Sequence, residues 1–135
     1  MGPTGKLTAG ALAAFLLSAG TALGCPFGNS AEEIRNGKMS LYWLPVGEIR
    51  VSEPFDLEIC LTVGGATPEG GMLEVDAVMP AHGHGMNYRS EVQQLEPGHF
   101  IAEGMLFHMP GKWEIRFDFV RDSGKTTFVS RVDLQ

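Results

Sequence analysis

The chain has 135 residues, 44% of them hydrophobic, and a formal net charge of −6. That length and apolar content suit one domain with a single core of ordinary size. Sixteen acidic residues against ten lysines and arginines leave no clustered basic face, which excludes nucleic acid as a partner and weakly favours cations.

The first residues carry one charge, Lys6, followed by an uncharged apolar run over 7–23 and by small residues at Ala22 and Gly24. A basic start, an apolar stretch and an A-x-A-like end define a secretory signal peptide over 1–24. The run is short and alanine-rich for a permanent membrane span, which needs about 20 strongly apolar residues. Cleavage leaves 111 residues with a charge of −7 and predicts a periplasmic or otherwise exported protein.

Cys25 follows the cleavage pattern directly. It has two competing uses. Acylation would tether the domain to a membrane surface through a lipid anchor, although Ala22 stands where a lipoprotein box carries a larger aliphatic residue. The other use is a disulfide to Cys60, the second of two cysteines, which an oxidising compartment permits. Around Cys60 the residues Leu57, Ile59, Leu61 and Val63 alternate, so Cys60 shares the outward face with Glu58 and Thr62.

Residues 25–37 read as an N-terminal tail whose polar part, 30–37, forms at most one helical turn. The domain then runs over 38–135. Apolar runs at 39–46, 55–63, 72–79, 91–95, 100–107, 113–120 and 126–134 predict strands, separated by turn residues such as Gly64-Gly65, Gly70-Gly71, Pro97-Gly98 and Pro110-Gly111. About seven short strands without a helical pattern predict an all-β fold, an immunoglobulin-like antiparallel β-sandwich. Leu73, Val75 and Ala77, then Trp113, Ile115, Phe117 and Phe119, then Phe128 and Val132, form the expected core. Met72, Met79 and Met105 read as packing residues and His99 as an exposed turn residue.

Within this plain scaffold, residues 79–87 read MPAHGHGMN. His82, His84 and Met86 alternate, so they share one side of an extended segment, and the flanking glycines let the backbone turn imidazoles toward one ion. Phe107-His108-Met109-Pro110 ends a later strand, where a sandwich brings neighbouring strand ends together. Imidazole alone suits several metals, but thioether sulfur is a soft donor that favours monovalent copper. The expected metal ligands are therefore His82, His84, Met86, His108 and Met109, with Cu(I) as the main ion and Cu(II) as a second. The alternative is a metal-free interaction module, in which His82 and His84 hydrogen-bond the loop closed and present it to a partner. Neither Ser90 nor Cys60 sits in a framed nucleophile turn, so no enzyme is expected.

The MPAHGHGMN segment, followed by Gly98-x-Phe100, Glu103-Gly104-Met105 and Phe107-His108-Met109-Pro110-Gly111-x-Trp113-Glu114, resembles the YtkA-like family of exported β-sandwich domains and its FixH-like relatives. The resemblance covers most of 38–133. It implies a copper carrier or buffer that passes the ion to a copper-accepting protein, on the FixH side toward oxidase assembly. It places the motif on His82, His84, Met86, His108 and Met109.

Overall fold

Alternation along the chain decides which side of each strand is dry. The computed structural model describes residues 25–135; the expected signal peptide over 1–24 lies outside them. Nine strands follow a short 3-10 turn at Gly28–Ser30: β1 (Glu32–Asn36), β2 (Met39–Val46), β3 (Pro54–Val63), β4 (Met72–Met79), β5 (His84–Gly85), β6 (Glu91–Glu96), β7 (His99–Leu106), β8 (Gly111–Arg121) and β9 (Gly124–Leu134). In β4 the residues Leu73, Val75, Ala77 and Met79 are buried while Met72, Glu74 and Asp76 are exposed. In β8 Trp113, Ile115, Phe117 and Phe119 are buried against 1% exposure or less, and their charged neighbours face outward.

Two antiparallel sheets result, in the orders β1-β2-β3-β7-β6 and β5-β4-β8-β9. Without β1 and β5 this is four strands facing three in the order of a seven-stranded immunoglobulin constant-type sandwich. The inner faces join in one core that includes Leu41, Leu57, Ile59, Phe100, Met105 and Phe107 from the first sheet and Val75, Ile115, Phe117 and Phe128 from the second. Among the described residues no helix is long and apolar enough to cross a membrane.

All seven expected strands form, and two more join them. The polar segment expected to hold one helical turn is instead β1, which pairs with β2 from Glu32↔Trp43 to Asn36↔Met39. Only Ile34 of β1 packs against the core. The strand exists because β2 offers it a free edge. It also ties the two sheets together at that side: Asn36 Nδ2 donates to the Thr127 carbonyl (3.0 Å), and Ser130 Oγ to Glu32 Oε1 (2.7 Å). Met79 and Met105 are core residues as expected, but Met72 is 65% exposed because it falls on the outer parity of β4 with Glu74 and Asp76. His99 is no exposed turn residue. It opens β7, pairs with Cys60 across the sheet and is edge-on to Phe27, with ring centroids 5.6 Å apart.

Cys25 and Cys60 form a disulfide with Cα atoms 5.5 Å apart. Cys60 does sit on the outer face of β3, as its parity with Glu58 and Thr62 requires, yet it is only 6% exposed.

Candidate functional site

Three loops meet at the end of the sandwich where β4 and β7 finish. The first is a tight hairpin. The Met79 carbonyl accepts from both His82 N–H and Gly83 N–H, each at 3.0 Å, and Gly83 takes φ +66° to reverse the chain. The returning pair His84–Gly85 then lies antiparallel on β4 as Met79↔His84 and Val78↔Gly85, and Met86 N–H donates to the Ala77 carbonyl (3.1 Å). Gly85 is where the returning backbone approaches closest, since a Cβ there would stand 3.1 Å from the Ala77 oxygen.

The second loop leaves β7 through Phe107, His108, Met109 and Pro110 before β8 starts at Gly111. Three consecutive carbonyls in it are fixed. Phe107 O accepts from Ser52 N–H at 2.8 Å, His108 O from Ser52 Oγ at 3.4 Å, and Met109 O from the Trp113 indole N–H at 3.0 Å. Ser52 belongs to the third loop, between β2 and β3, and is the one non-glycine residue with positive φ among those described (+63°). That conformation costs roughly 1 kcal/mol or more and persists only where neighbours enforce it. Beneath the site the buried Phe107 stacks on Trp113, ring centroids 4.6 Å apart and planes 10° off parallel.

These loops bring the imidazoles into succession. The rings of His82 and His84 are 5.6 Å apart, those of His84 and His108 5.2 Å, and His108 meets Trp113 edge-on at 5.4 Å. His82 and His84 are exposed and His108 is half-buried. Met86 and Met109, on the same two segments, pack partly buried against the core. The five expected residues thus sit on two facing loops at one end of the molecule.

The donor set can be tested against an ion. With a metal–nitrogen bond of about 2.0–2.1 Å and an imidazole radius of about 1.2 Å, two rings sharing one ion at a tetrahedral angle have centroids about 5 Å apart. The His84 and His108 rings stand at 5.2 Å. His108 Nδ1 is sealed from solvent without a hydrogen-bond partner among the described residues, so its polar capacity is unused. His84 Nδ1 reaches only the carbonyl of its neighbour Gly85, at 3.3 Å. Among the described residues no three His, Cys, Asp or Glu side chains are grouped to hold an ion by themselves.

Sequence reasoning did not single out Ser52 or assign Trp113 more than a place in the core. Ser52 lies in an unremarkable turn sequence, and its contact to residues 107 and 108 is non-local.

Fold and site together define an immunoglobulin-like β-sandwich that carries a histidine and methionine cluster across one end. Comparison of the chain with protein-family models, with curated proteins and with solved structures gives no match in any of the three.

Proposed function

We propose that the protein is an exported copper carrier or buffer of the YtkA-like type, which takes Cu(I) between His84 and His108 with help from His82, Met86 and Met109. The observation that carries this reading is the 5.2 Å approach of His84 to His108 from two separate loops. Thioethers on the same two loops as these imidazoles, Met86 and Met109, favour the cuprous ion over harder cations. Release to a copper-accepting partner suits the arrangement, because His82 and His84 are exposed on a glycine-rich turn while His108 and Met109 are held on a fixed frame. A partner can then replace the outer donors first.

The metal-free alternative needs the imidazoles to hold the loop closed. Backbone amides already close it at Met79 and Ala77. Copper is the cargo here, and no bond is made or broken in the protein.

The test is an anaerobic Cu(I) titration against a chromogenic chelator, with the wild type and the His84→Ala/His108→Ala variant. A one-to-one complex lost in the variant supports the reading. A folded wild type that takes no copper from the chelator turns the assignment to the interaction module.

A further inference from the structure

The edges of the two sheets are not alike. An open edge presents unpaired main-chain N–H and C=O groups to any passing strand, so exposed edges are commonly short, bulged or capped. In the first sheet β1 is five residues long and mostly polar, and β6 has a register shift between Gln94 and Glu96. On the β4 side of the second sheet, β5 covers Val78 and Met79, and Met86 N–H donates to the Ala77 carbonyl. Further along that side Ser90 Oγ donates to the Val75 carbonyl and Asp76 Oδ1 accepts from Ala77 N–H. The remaining edge is β9, eleven residues paired with β8 from Gly124 to Leu134 without a bulge.

One contact shows which groups of β9 face outward. The Thr127 carbonyl accepts from Asn36 Nδ2 of the other sheet, so it points away from β8. In a strand such groups recur at every second residue, and the N–H and C=O of Val129, Arg131 and Asp133 therefore point the same way. β1 flanks this side through Asn36 and Glu32, which bond to Thr127 and Ser130. Beyond Ser130, the outward main-chain groups of Arg131 and Asp133 have no partner among the described residues. The same stretch borders a cleft of about 400 Å³ lined by Pro80, Ala81, Trp113 and Val132, so a strand laid along it would cover apolar surface as well.

We propose that this stretch pairs with a second copy of the same chain, β9 against β9 in antiparallel order about a two-fold axis at Val132. The charges choose that partner. Arg131 and Asp133 are both exposed on the outer parity of β9, and in this register each meets its opposite charge in the second copy, while Val132 meets Val132. Arg131 also exchanges both main-chain hydrogen bonds with the second copy's Asp133, so the free groups of both residues are satisfied. The equivalent self-pairing on β4, about Val75, would instead set Glu74 against Asp76 and repel. Leu134 pairs with Gly111, directly after the loop of His108 and Met109, so the axis lies by the histidine end of both copies. No metal enters the contact, and it stands apart from the copper reading.

The test is sedentation equilibrium of the purified, metal-free protein over a range of concentrations, with circular dichroism following the fold. So short a contact makes a weak dimer, with a dissociation constant on the order of 100 μM. Arg131→Glu and Asp133→Arg should each raise that constant about tenfold or more, because every attractive cross-strand pair becomes a repulsive one. The double variant Arg131→Glu/Asp133→Arg should restore it to within about threefold of the wild type, and Glu74→Lys on the other edge should leave it unchanged. Amide hydrogen exchange gives a second readout, since Arg131 and Asp133 should gain protection as the wild-type concentration rises. A wild type that stays monomeric to about 1 mM overturns the proposal and leaves the edge to a strand of another protein. So does a dimer indifferent to both single variants, or one that the double variant fails to restore.

Discussion

The imidazole of His84 lies 5.2 Å from that of His108, although one belongs to a hairpin on the second sheet and the other to the crossing that leaves the first. Each half of the cluster is thereby carried by a different sheet. The halves also differ in stiffness, since the carbonyls around His108 are held by Ser52 and Trp113 while His82 has only its backbone amide fixed.

That asymmetry ranks the histidines. On the proposed copper reading, His108→Ala should lower Cu(I) affinity by about 100-fold or more, because it removes the imidazole on the fixed loop, and His82→Ala by about tenfold or less. Chelator competition on the single variants checks the order. Equal losses would mean that the ion is shared evenly along the row.

Gly111 has φ +130°, and a Cβ there would stand 2.6 Å from the terminal methyl of Met79, a residue only 1% exposed. Gly111→Ala should therefore destabilise the fold by about 3 kcal/mol, through backbone strain together with overpacking. Gly83→Ala has φ +66° with open space around the new methyl, and should cost about 1 kcal/mol. Urea unfolding of the two variants measures the difference.

The Cys25–Cys60 bond joins residues 35 apart in sequence. A closed loop of that size stabilises by about 3–4 kcal/mol in the chain-entropy picture. Cys25→Ser should lower stability by that amount in denaturant unfolding and leave strand content intact, because the inner-face core does not include the tail. Loss of the sandwich itself would show that the tail is needed for folding.

On the exposed face of β1, the Arg35 guanidinium holds the Glu33 carboxyl below its ordinary value, and the Tyr42 hydroxyl at 3.0 Å lowers it further. A carboxylate whose folded pKa is depressed contributes stability above its unfolded pKa and loses it as pH falls through the folded one. The contribution is therefore present in neutral and alkaline solution and is lost only in acid, below the ordinary carboxylate range. Tyr42→Phe should move the Glu33 titration upward in an NMR pH series, and Arg35→Gln should move it further. No upward movement in either variant would show that the contacts are averaged away in solution.

Much of the fold was legible because one-sided burial imposes a period of two. Leu73 to Ala77 and Trp113 to Phe119 show that period without exception, and their inward faces pack as expected. β1 was not legible by that route. Glu32-Glu33-Ile34-Arg35-Asn36 has a single apolar residue, so burial leaves almost no pattern. The available signal was Asn36-Gly37, since Gly37 takes φ +61° in the two-residue turn to β2. His99 was misplaced because its neighbours Pro97-Gly98 announce a turn, whereas its burial comes from Phe27, 72 positions earlier. In the candidate site, the facing of the two loops followed from strand order. Ser52 did not, because a backbone outlier leaves no mark on residue type when the residue is a serine.

The disulfide also sets a polarity for the whole molecule. Cys60 pairs with His99 at the start of β7, and the histidine cluster lies beyond its far end, so the length of the eight-residue strand, about 25 Å at roughly 3.3 Å per residue, separates them. Anything attached through the residues before Cys25 grips the domain by the end remote from His84 and His108. The imidazoles are then presented outward, like the tip of a probe held by its handle.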